Sequence, residues 1–80
     1  MAEEAMAKLA EVGLIGLGAG LAIGLGALGA GYAQGKIGSA MAAASAERPE
    51  MQGSMLLYLV IPETIVLFAF AIAYLLIEKL

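Results

Sequence analysis

Cysteine, histidine and tryptophan are all missing from this 80-residue chain, and charged residues make up only 14% of it. Without cysteine or histidine the chain has no thiolate or imidazole metal site, no Cys or His nucleophile and no disulfide framework. The four basic residues form no cluster and the net charge is −3, which argues against nucleic acid as a partner. Hydrophobic residues reach 62%, above the roughly half that is usual in soluble domains, so the composition favours one small membrane protein.

Two segments are long and apolar enough to cross a bilayer as helices. The 23 residues from Met55 to Ile77 carry one charged side chain, Glu63, and the segment Gly13 to Ala33 carries none. A helix of that length spans about 35 Å, which exceeds the ~30 Å hydrocarbon core of a membrane. Between them, the run Ala46-Glu47-Arg48-Pro49-Glu50 combines three charges with a proline and predicts a polar turn.

The predicted fold is an all-α, multi-pass membrane hairpin in which residues 1–80 form a single unit. We expect helix 1 over about 12–46, a polar loop over about 47–53 and helix 2 over about 54–78, with a short interfacial or frayed extension before helix 1. Both termini then lie on one side of the membrane and the loop on the other. The four cations divide evenly between the two sides, so charge does not decide which side is cytoplasmic.

Helix 1 carries small residues on two of its faces. Ten of the eleven glycines of the chain lie between Gly13 and Gly38. At roughly 100° per residue, one face groups the glycines that we predict to pack helices closely: Gly13, Gly16, Gly20, Gly24, Gly31, Gly35 and Gly38. A leucine stripe lies beside it: Leu14, Leu17, Leu21, Leu25, Leu28 and Tyr32. A second set of small residues lies near the far side: Gly18, Ala22, Gly26, Gly29, Ala33 and Ala40.

These two small faces favour assembly of identical hairpins into a ring. In lipid, small residues let helix backbones approach closely, and two such faces suit a helix with a neighbour on each side. A head-to-tail contact of this kind closes into a homo-oligomeric ring. The alternative is that the glycines serve packing within one hairpin alone. Lys36, beyond the apolar segment, is expected to extend toward the loop-side interface.

Glu63 is a lone carboxylate in the middle of helix 2, fourteen residues from both Pro49 and Ile77. An ionised side chain at that depth costs ~3 kcal/mol or more, which a simple anchor would not justify. Its own helix supplies apolar neighbours one turn away, so a partner has to come from helix 1. Gln34 lies fourteen residues before Arg48 and is therefore expected at the same depth, about 21 Å from the apex of the hairpin.

Reversible cation binding is the chemistry that fits this isolated carboxylate. No second catalytic group is present for hydrolysis, and a carboxyl in hydrocarbon holds a proton or a cation rather than remaining a bare anion. Pro62 removes a backbone donor and frees a carbonyl near Tyr58, so we expect these two residues to shape the site. We predict an ion-translocating protein that is not an enzyme and needs no cofactor. The alternatives are a structural, hydrogen-bonded glutamate, a small pore-forming or holin-like hairpin, and a half-size multidrug antiporter.

This combination of motifs resembles the c subunit, or proteolipid, of rotary ATPases and ATP synthases. The resemblance rests on the glycine-rich first helix, the run Ala33-Gln34-Gly35-Lys36-Ile37-Gly38, the polar loop and the run Ile61-Pro62-Glu63-Thr64. It covers about Gly13 to Leu76. The Pro-Glu-Thr triplet and the loop spacing are most similar to the V/A, or archaeal, type in its single-hairpin form.

The resemblance implies a c-ring in a prokaryotic cell membrane, with helix 1 inside and helix 2 outside. It implies that Glu63 carries H⁺ or Na⁺ and releases it beside an essential arginine of a stator membrane subunit, while ATP chemistry belongs to other subunits. The stalk-contact loop, formed by Glu47, Arg48, Pro49 and Glu50, would meet the central rotor stalk on the cytoplasmic side, with both termini opposite.

The resemblance also bears on which ion Glu63 carries. Sodium-binding relatives pair the glutamate with a helix 1 Gln and a following hydroxyl, which Gln34 and Thr64 match here. Some carry a further Gln and Tyr where this chain has Ile65 and Phe68. Because those two positions supply no oxygen ligand, the proton is favoured and sodium at Glu63 is the alternative.

Overall fold

The computed structural model describes all 80 residues and shows two antiparallel helical arms. The first arm is α1, Ala2–Glu47. The second arm opens with a 3₁₀ turn, Pro49–Met51, and continues as α2, Gln52–Val60, and α3, Glu63–Ile77. Both arms are long and apolar enough to cross a membrane, which agrees with the predicted hairpin.

The helix α1 begins at Ala2, about ten residues earlier than the sequence predicted, so the extension expected to be interfacial or frayed is helical. Residues 2–11 are alanine, glutamate, methionine, lysine and leucine, all strong helix formers. Glu3 and Glu4 lie in the first turn, where the helix dipole favours negative charge. The chain extends 69 Å along its long axis, so α1 projects well beyond a ~30 Å hydrocarbon core.

The turn between the arms is shorter than the predicted polar loop. Arg48 alone leaves helical conformation, with φ −133° and ψ 93°, because a residue before proline is disfavoured in the α region. Its N–H still donates to the carbonyl of Ala44 at 2.8 Å, and its own carbonyl accepts from Met51 at 2.9 Å. The chain therefore reverses over a few residues, and this short turn fixes which residues of the two arms lie opposite each other.

The second arm is divided at Ile61 and Pro62, where the sequence predicted one helix. Pro62 has no N–H to donate, so the regular ladder stops there. Both residues keep right-handed helical dihedrals, and the N–H groups of Thr64 and Ile65 each bond three residues back at 3.1 Å. The arm therefore continues in one direction through a locally tightened turn that lies directly before Glu63.

The arms meet along a seam of small residues. Only five residues are buried, and four of them are alanines on facing helices: Ala19, Ala30, Ala69 and Ala73. A Cβ added to Gly26 would lie 2.7 Å from the Cβ of Ala69, so the backbones approach too closely there for any side chain. Gly18 faces Leu76 at 3.8 Å. On α1 the seam therefore consists of Gly18 and Gly26 from the second small set together with Ala19 and Ala30, whereas Gly29 of that set meets nothing within 4 Å.

The predicted packing glycines lie almost entirely off this seam. A Cβ added to Gly13, Gly16, Gly20, Gly24, Gly31 or Gly35 would meet nothing within 4 Å, while Gly38 lies 3.8 Å from Leu59. Packing within one hairpin alone therefore does not explain this face. The hairpin also exposes most of its large apolar side chains, and such a surface has to be covered by lipid or by other copies of the chain.

Candidate ion-binding site between the two arms

One hydrogen bond joins a side chain of the first arm to a side chain of the second arm. It forms between Gln34 of α1 and Glu63 of α3. The Nε2 of Gln34 lies 2.5 Å from Oε2 of Glu63. The two residues are 29 positions apart in the chain and meet because the tight turn sets them at equal depth. The structure therefore places Gln34 where the hairpin spacing predicted it.

The same Gln34 nitrogen also lies 3.1 Å from the carbonyl oxygen of Leu59, one turn before Glu63. A glutamine amide group has two N–H donors, so these two contacts use both of them. The amide thus spans the interruption in the second arm and holds the Glu63 carboxylate by one oxygen. The other carboxylate oxygen has no protein partner and is available to a proton or a cation.

Pro62 has the relation to the site that the sequence suggested, whereas the Tyr58 side chain does not. Pro62 is buried and marks the interruption before Glu63, as expected. The carbonyl that receives the Gln34 amide belongs to Leu59, the residue after Tyr58. The Tyr58 side chain is half exposed and makes no hydrogen bond. The Leu59 backbone therefore has the site-shaping role that the sequence predicted for Tyr58.

Thr64 follows Glu63 but does not bond to it. The Thr64 hydroxyl donates to the carbonyl of Ile61 at 2.8 Å, which also accepts the Thr64 backbone N–H at 3.1 Å. The hydroxyl oxygen and the Ile61 carbonyl therefore lie together beside Glu63. The sequence did not indicate Leu59 and Ile61 because backbone carbonyls leave no side-chain signature; the position of Pro62 was the available signal.

The site is open on one side in the single hairpin. Glu63 and Thr64 are exposed, while Gln34 is half-buried between the arms. The chain holds no group of three His, Cys, Asp or Glu side chains in one place. What the arrangement offers chemically is one carboxylate, fixed by an amide donor and reachable from the outer face of the second arm. A carboxylate in this arrangement is chemically able to bind one small cation.

The fold and the site together define a class of protein: a two-helix membrane hairpin with one mid-span carboxylate that is positioned by a glutamine of the other helix. Residues 17–76 match the family described as the C subunit of ATP synthase. That match covers most of the chain, and the chain belongs to this family. The resemblance inferred from the motifs is thereby confirmed.

Curated relatives include both ATP synthase and V-type proteins. The chain is 38% identical over 72 residues to the ATP synthase c subunit of Carboxydothermus hydrogenoformans, covering 85% of this chain and 88% of that protein. It is 41% identical over 64 residues to its counterpart in Petrotoga mobilis, also an ATP synthase c subunit, covering 75% and 67%. The V-type proton ATPase c subunit of Candida tropicalis is 41% identical over 64 residues, with 80% of this chain but 40% of that protein covered. This chain thus spans about two fifths of the V-type relative.

Family membership establishes the general role of the chain. It is a non-catalytic membrane subunit that forms a ring of identical copies in the rotor of a rotary ATPase, and ATP chemistry belongs to other subunits. The pore-forming and antiporter alternatives lose their support. The face of glycines that lies off the hairpin seam is consistent with contacts between neighbouring copies in such a ring.

Proposed function

We propose that Glu63 reversibly binds a proton at mid-membrane and couples ion flow to rotation of the ring. The observation that carries the proposal is the Gln34 amide, which holds Glu63 and the Leu59 carbonyl together at the interruption of the second arm. This contact fixes one carboxylate oxygen and leaves the other free.

Two charge states of Glu63 then prefer different surroundings. With a proton bound, the carboxyl is neutral and faces hydrocarbon at little cost. Once the proton leaves, the bare anion needs a positive charge or water, because an isolated ion in lipid costs several kcal/mol, ~3 or more. Ion occupancy therefore decides which environment the side chain tolerates, and this is the coupling that a rotor needs.

The number and arrangement of oxygen atoms around Glu63 favour a proton over sodium as the bound ion. Sodium, a hard cation, needs several oxygen ligands at once. The Thr64 hydroxyl donates to the Ile61 carbonyl but keeps its oxygen lone pairs, whereas Ile65 and Phe68 add no oxygen. Sodium binding would require the Gln34 oxygen, the Ile61 carbonyl and Thr64 to turn together toward the carboxylate. A single proton on the free Glu63 oxygen needs no such rearrangement.

The proposal extends to the partners of the ring. We propose that Glu63 exchanges its ion beside an essential arginine of a stator membrane subunit. The stalk-contact loop then meets the central rotor stalk on the cytoplasmic side, with both termini on the opposite side. The exposure of Glu47, Arg48, Pro49 and Glu50 at the end of the hairpin supports the contact with the stalk, and the orientation follows from the resemblance to the family.

The decisive experiment compares Glu63→Gln with Glu78→Gln in the assembled complex, reconstituted in vesicles. Glutamine keeps the size and hydrogen bonding of glutamate but cannot release a proton. We expect ion-driven ATP synthesis to fall to background in Glu63→Gln and to stay unchanged in Glu78→Gln, while both rings assemble. Retained synthesis in the Glu63→Gln complex would refute the proposal.

A second measurement identifies the ion. A carbodiimide reacts with protonated carboxyls in apolar surroundings, so it is expected to label Glu63 in preference to the other six glutamates. If the ion is a proton, the labelling rate follows pH alone at every sodium concentration. Protection by added sodium at fixed pH would overturn the proton assignment while leaving Glu63 as the ion carrier.

A further inference from the structure

The first twelve residues of α1, which we call the N-terminal extension (residues 2–13), continue beyond the end of the second arm. Gly18 lies opposite Leu76, so Leu80 at the end of the second arm lies near the level of Leu14. The extension is therefore about 18 Å of helix that the hairpin itself does not cover. All of its residues are exposed, and four of them are charged, which places it outside the hydrocarbon core: Glu3, Glu4, Lys8 and Glu11.

The extension continues the line of α1 and does not turn onto the membrane surface. The helix runs unbroken from Ala2 to Glu47, and no glycine within it adopts a left-handed conformation. A straight helix of its 46 residues is about 69 Å long. This length equals the 69 Å extent of the hairpin along its long axis. In a ring of identical copies, the extensions therefore stand side by side at the same height above the membrane.

Helical periodicity gathers the apolar side chains of the extension on one flank. Ala19, Gly26 and Ala30 define the direction in which α1 meets the second arm. Counted from that direction at roughly 100° per residue, Leu9 lies at about 80° and Met6 at about 140°. Both side chains are at least 70% exposed. The four charged side chains all lie in the arc from about 200° to 340°, so the flank that carries Leu9 and Met6 is free of charge.

This apolar flank continues the face of glycines that lies off the hairpin seam. Counted in the same way, Gly13, Gly16 and Gly20 lie between about 60° and 120°. The flank thus changes from glycine within the hydrocarbon to methionine and leucine outside it. In lipid, helices associate through close packing of small residues, whereas in water the burial of large apolar side chains drives association. The change in residue type is therefore what one continuous contact between copies requires as it passes from lipid into water.

The opposite flank of the extension offers a small side chain at the same height. Ala7 is rotated from Leu9 by about 200° and lies about 3 Å further along the axis. In a head-to-tail ring, each helix presents opposite flanks to its two neighbours. Leu9 of one copy therefore comes level with Ala7 of the next copy, and the small alanine leaves room for the leucine.

We propose that the N-terminal extensions of neighbouring copies pack against each other outside the membrane, with the Leu9 flank of one copy on the Ala7 flank of the next. A second copy of the chain is the occupant of the apolar flank because the flank continues the glycine contact and because identical straight helices keep the same height. The ring then carries a closed set of helices above the membrane, held together by hydrophobic burial in water. The inference rests on ring assembly and does not depend on Glu63 carrying the ion.

Cysteine pairs test this contact without background, because the chain has no cysteine of its own. In Ala7→Cys, Leu9→Cys rings, helices packed 8–10 Å apart bring the facing Cα atoms of adjacent copies to roughly 5 Å, which a disulfide can span. Within one helix the two side chains point about 200° apart and cannot be bridged. The matched control Lys8→Cys, Ala10→Cys has the same spacing, but its side chains point toward the second arm and directly away from it.

Rings in vesicles are oxidised and then separated on a denaturing gel without reductant. We expect Ala7→Cys, Leu9→Cys to give a ladder of dimers, trimers and larger species, while the control pair stays mainly monomeric. The same ladder is expected when Glu63→Gln is added, which separates this contact from ion coupling. Equal cross-linking of the two pairs would overturn the inference. So would a product that stops at dimers, or a cross-link of Leu9→Cys to another protein of the complex in place of a neighbouring copy.

A second comparison applies without cysteines and covers the case in which those rings do not assemble. Leu9→Gln removes the large apolar side chain from the contact, whereas Ala10→Gln makes a polar change on the face directed away from the second arm. We expect Leu9→Gln rings to dissociate at least about 4 °C below the wild type on a native gel of heated samples, or not to form at all. Ala10→Gln rings are expected to match the wild type. An unchanged dissociation temperature in Leu9→Gln would contradict the inference.

Discussion

Gly26 is the residue at which the hairpin seam is most sensitive to substitution, and Gly26→Ala tests the packing directly. The added Cβ would lie 2.7 Å from the Cβ of Ala69, while carbon atoms prefer a separation of about 3.5–4.0 Å. The two helices must therefore move apart by about 1 Å at this point. Since the seam consists of small side chains, no long side chain is available to rearrange and absorb the clash.

Two opposing energies set the size of the effect. Overpacking a close contact costs about 1–3 kcal/mol, whereas replacing glycine by alanine in a helix returns about 1 kcal/mol of helix propensity. The net loss is expected to reach about 2 kcal/mol for each hairpin. Because every copy in the ring carries the substitution, the ring is expected to dissociate at a lower temperature, which a native gel of heated samples measures.

Matched variants separate the clash from other effects. Gly53→Ala makes the same chemical change where a Cβ meets nothing within 4 Å, so its ring is expected to be as stable as the wild type. The double variant Gly26→Ala, Ala69→Gly restores the missing space and is expected to recover most of the loss. Gly26→Ala rings as stable as wild type, or no recovery in the double variant, would refute the close approach of the backbones.

Two further predictions follow from the site and from the exposed glycine face. Gln34→Leu removes the amide from Glu63 and from the Leu59 carbonyl, and leaving polar groups without a partner costs about 1–3 kcal/mol. The ring is therefore expected to dissociate at a lower temperature on a native gel of heated samples, and an unchanged dissociation temperature would show that Gln34 does not contribute. Gly20→Leu adds bulk where the hairpin itself has open space, so we expect a folded hairpin that no longer forms rings. The mass of the assembly on a native gel measures this, with Leu21→Met as control. Intact rings in Gly20→Leu would place the contact between copies elsewhere.

The hairpin and its central pair of polar residues could be predicted from the sequence because both depend on length and spacing. A long apolar helix and a tight turn fix how deep each residue lies, whatever the details of packing. For this reason Gln34 and Glu63 were expected at one level, and their contact follows. The extension of α1 to Ala2 was not predicted, although residues 2–11 are good helix formers, because the apolar pattern that marks a membrane span begins only near Val12.

Rotation of each helix about its own axis was decided only by the tertiary structure. Small residues lie on two faces of α1, so helical periodicity alone does not tell which face meets the second arm; the contact of Gly26 with Ala69 settles it. The acceptor role of the Leu59 carbonyl and the direction of Lys36 toward Tyr32 likewise depend on how neighbouring atoms meet in space. The order of the residues determines how deep each one lies in the membrane. The direction in which each side chain faces is determined only when the two helices pack against each other.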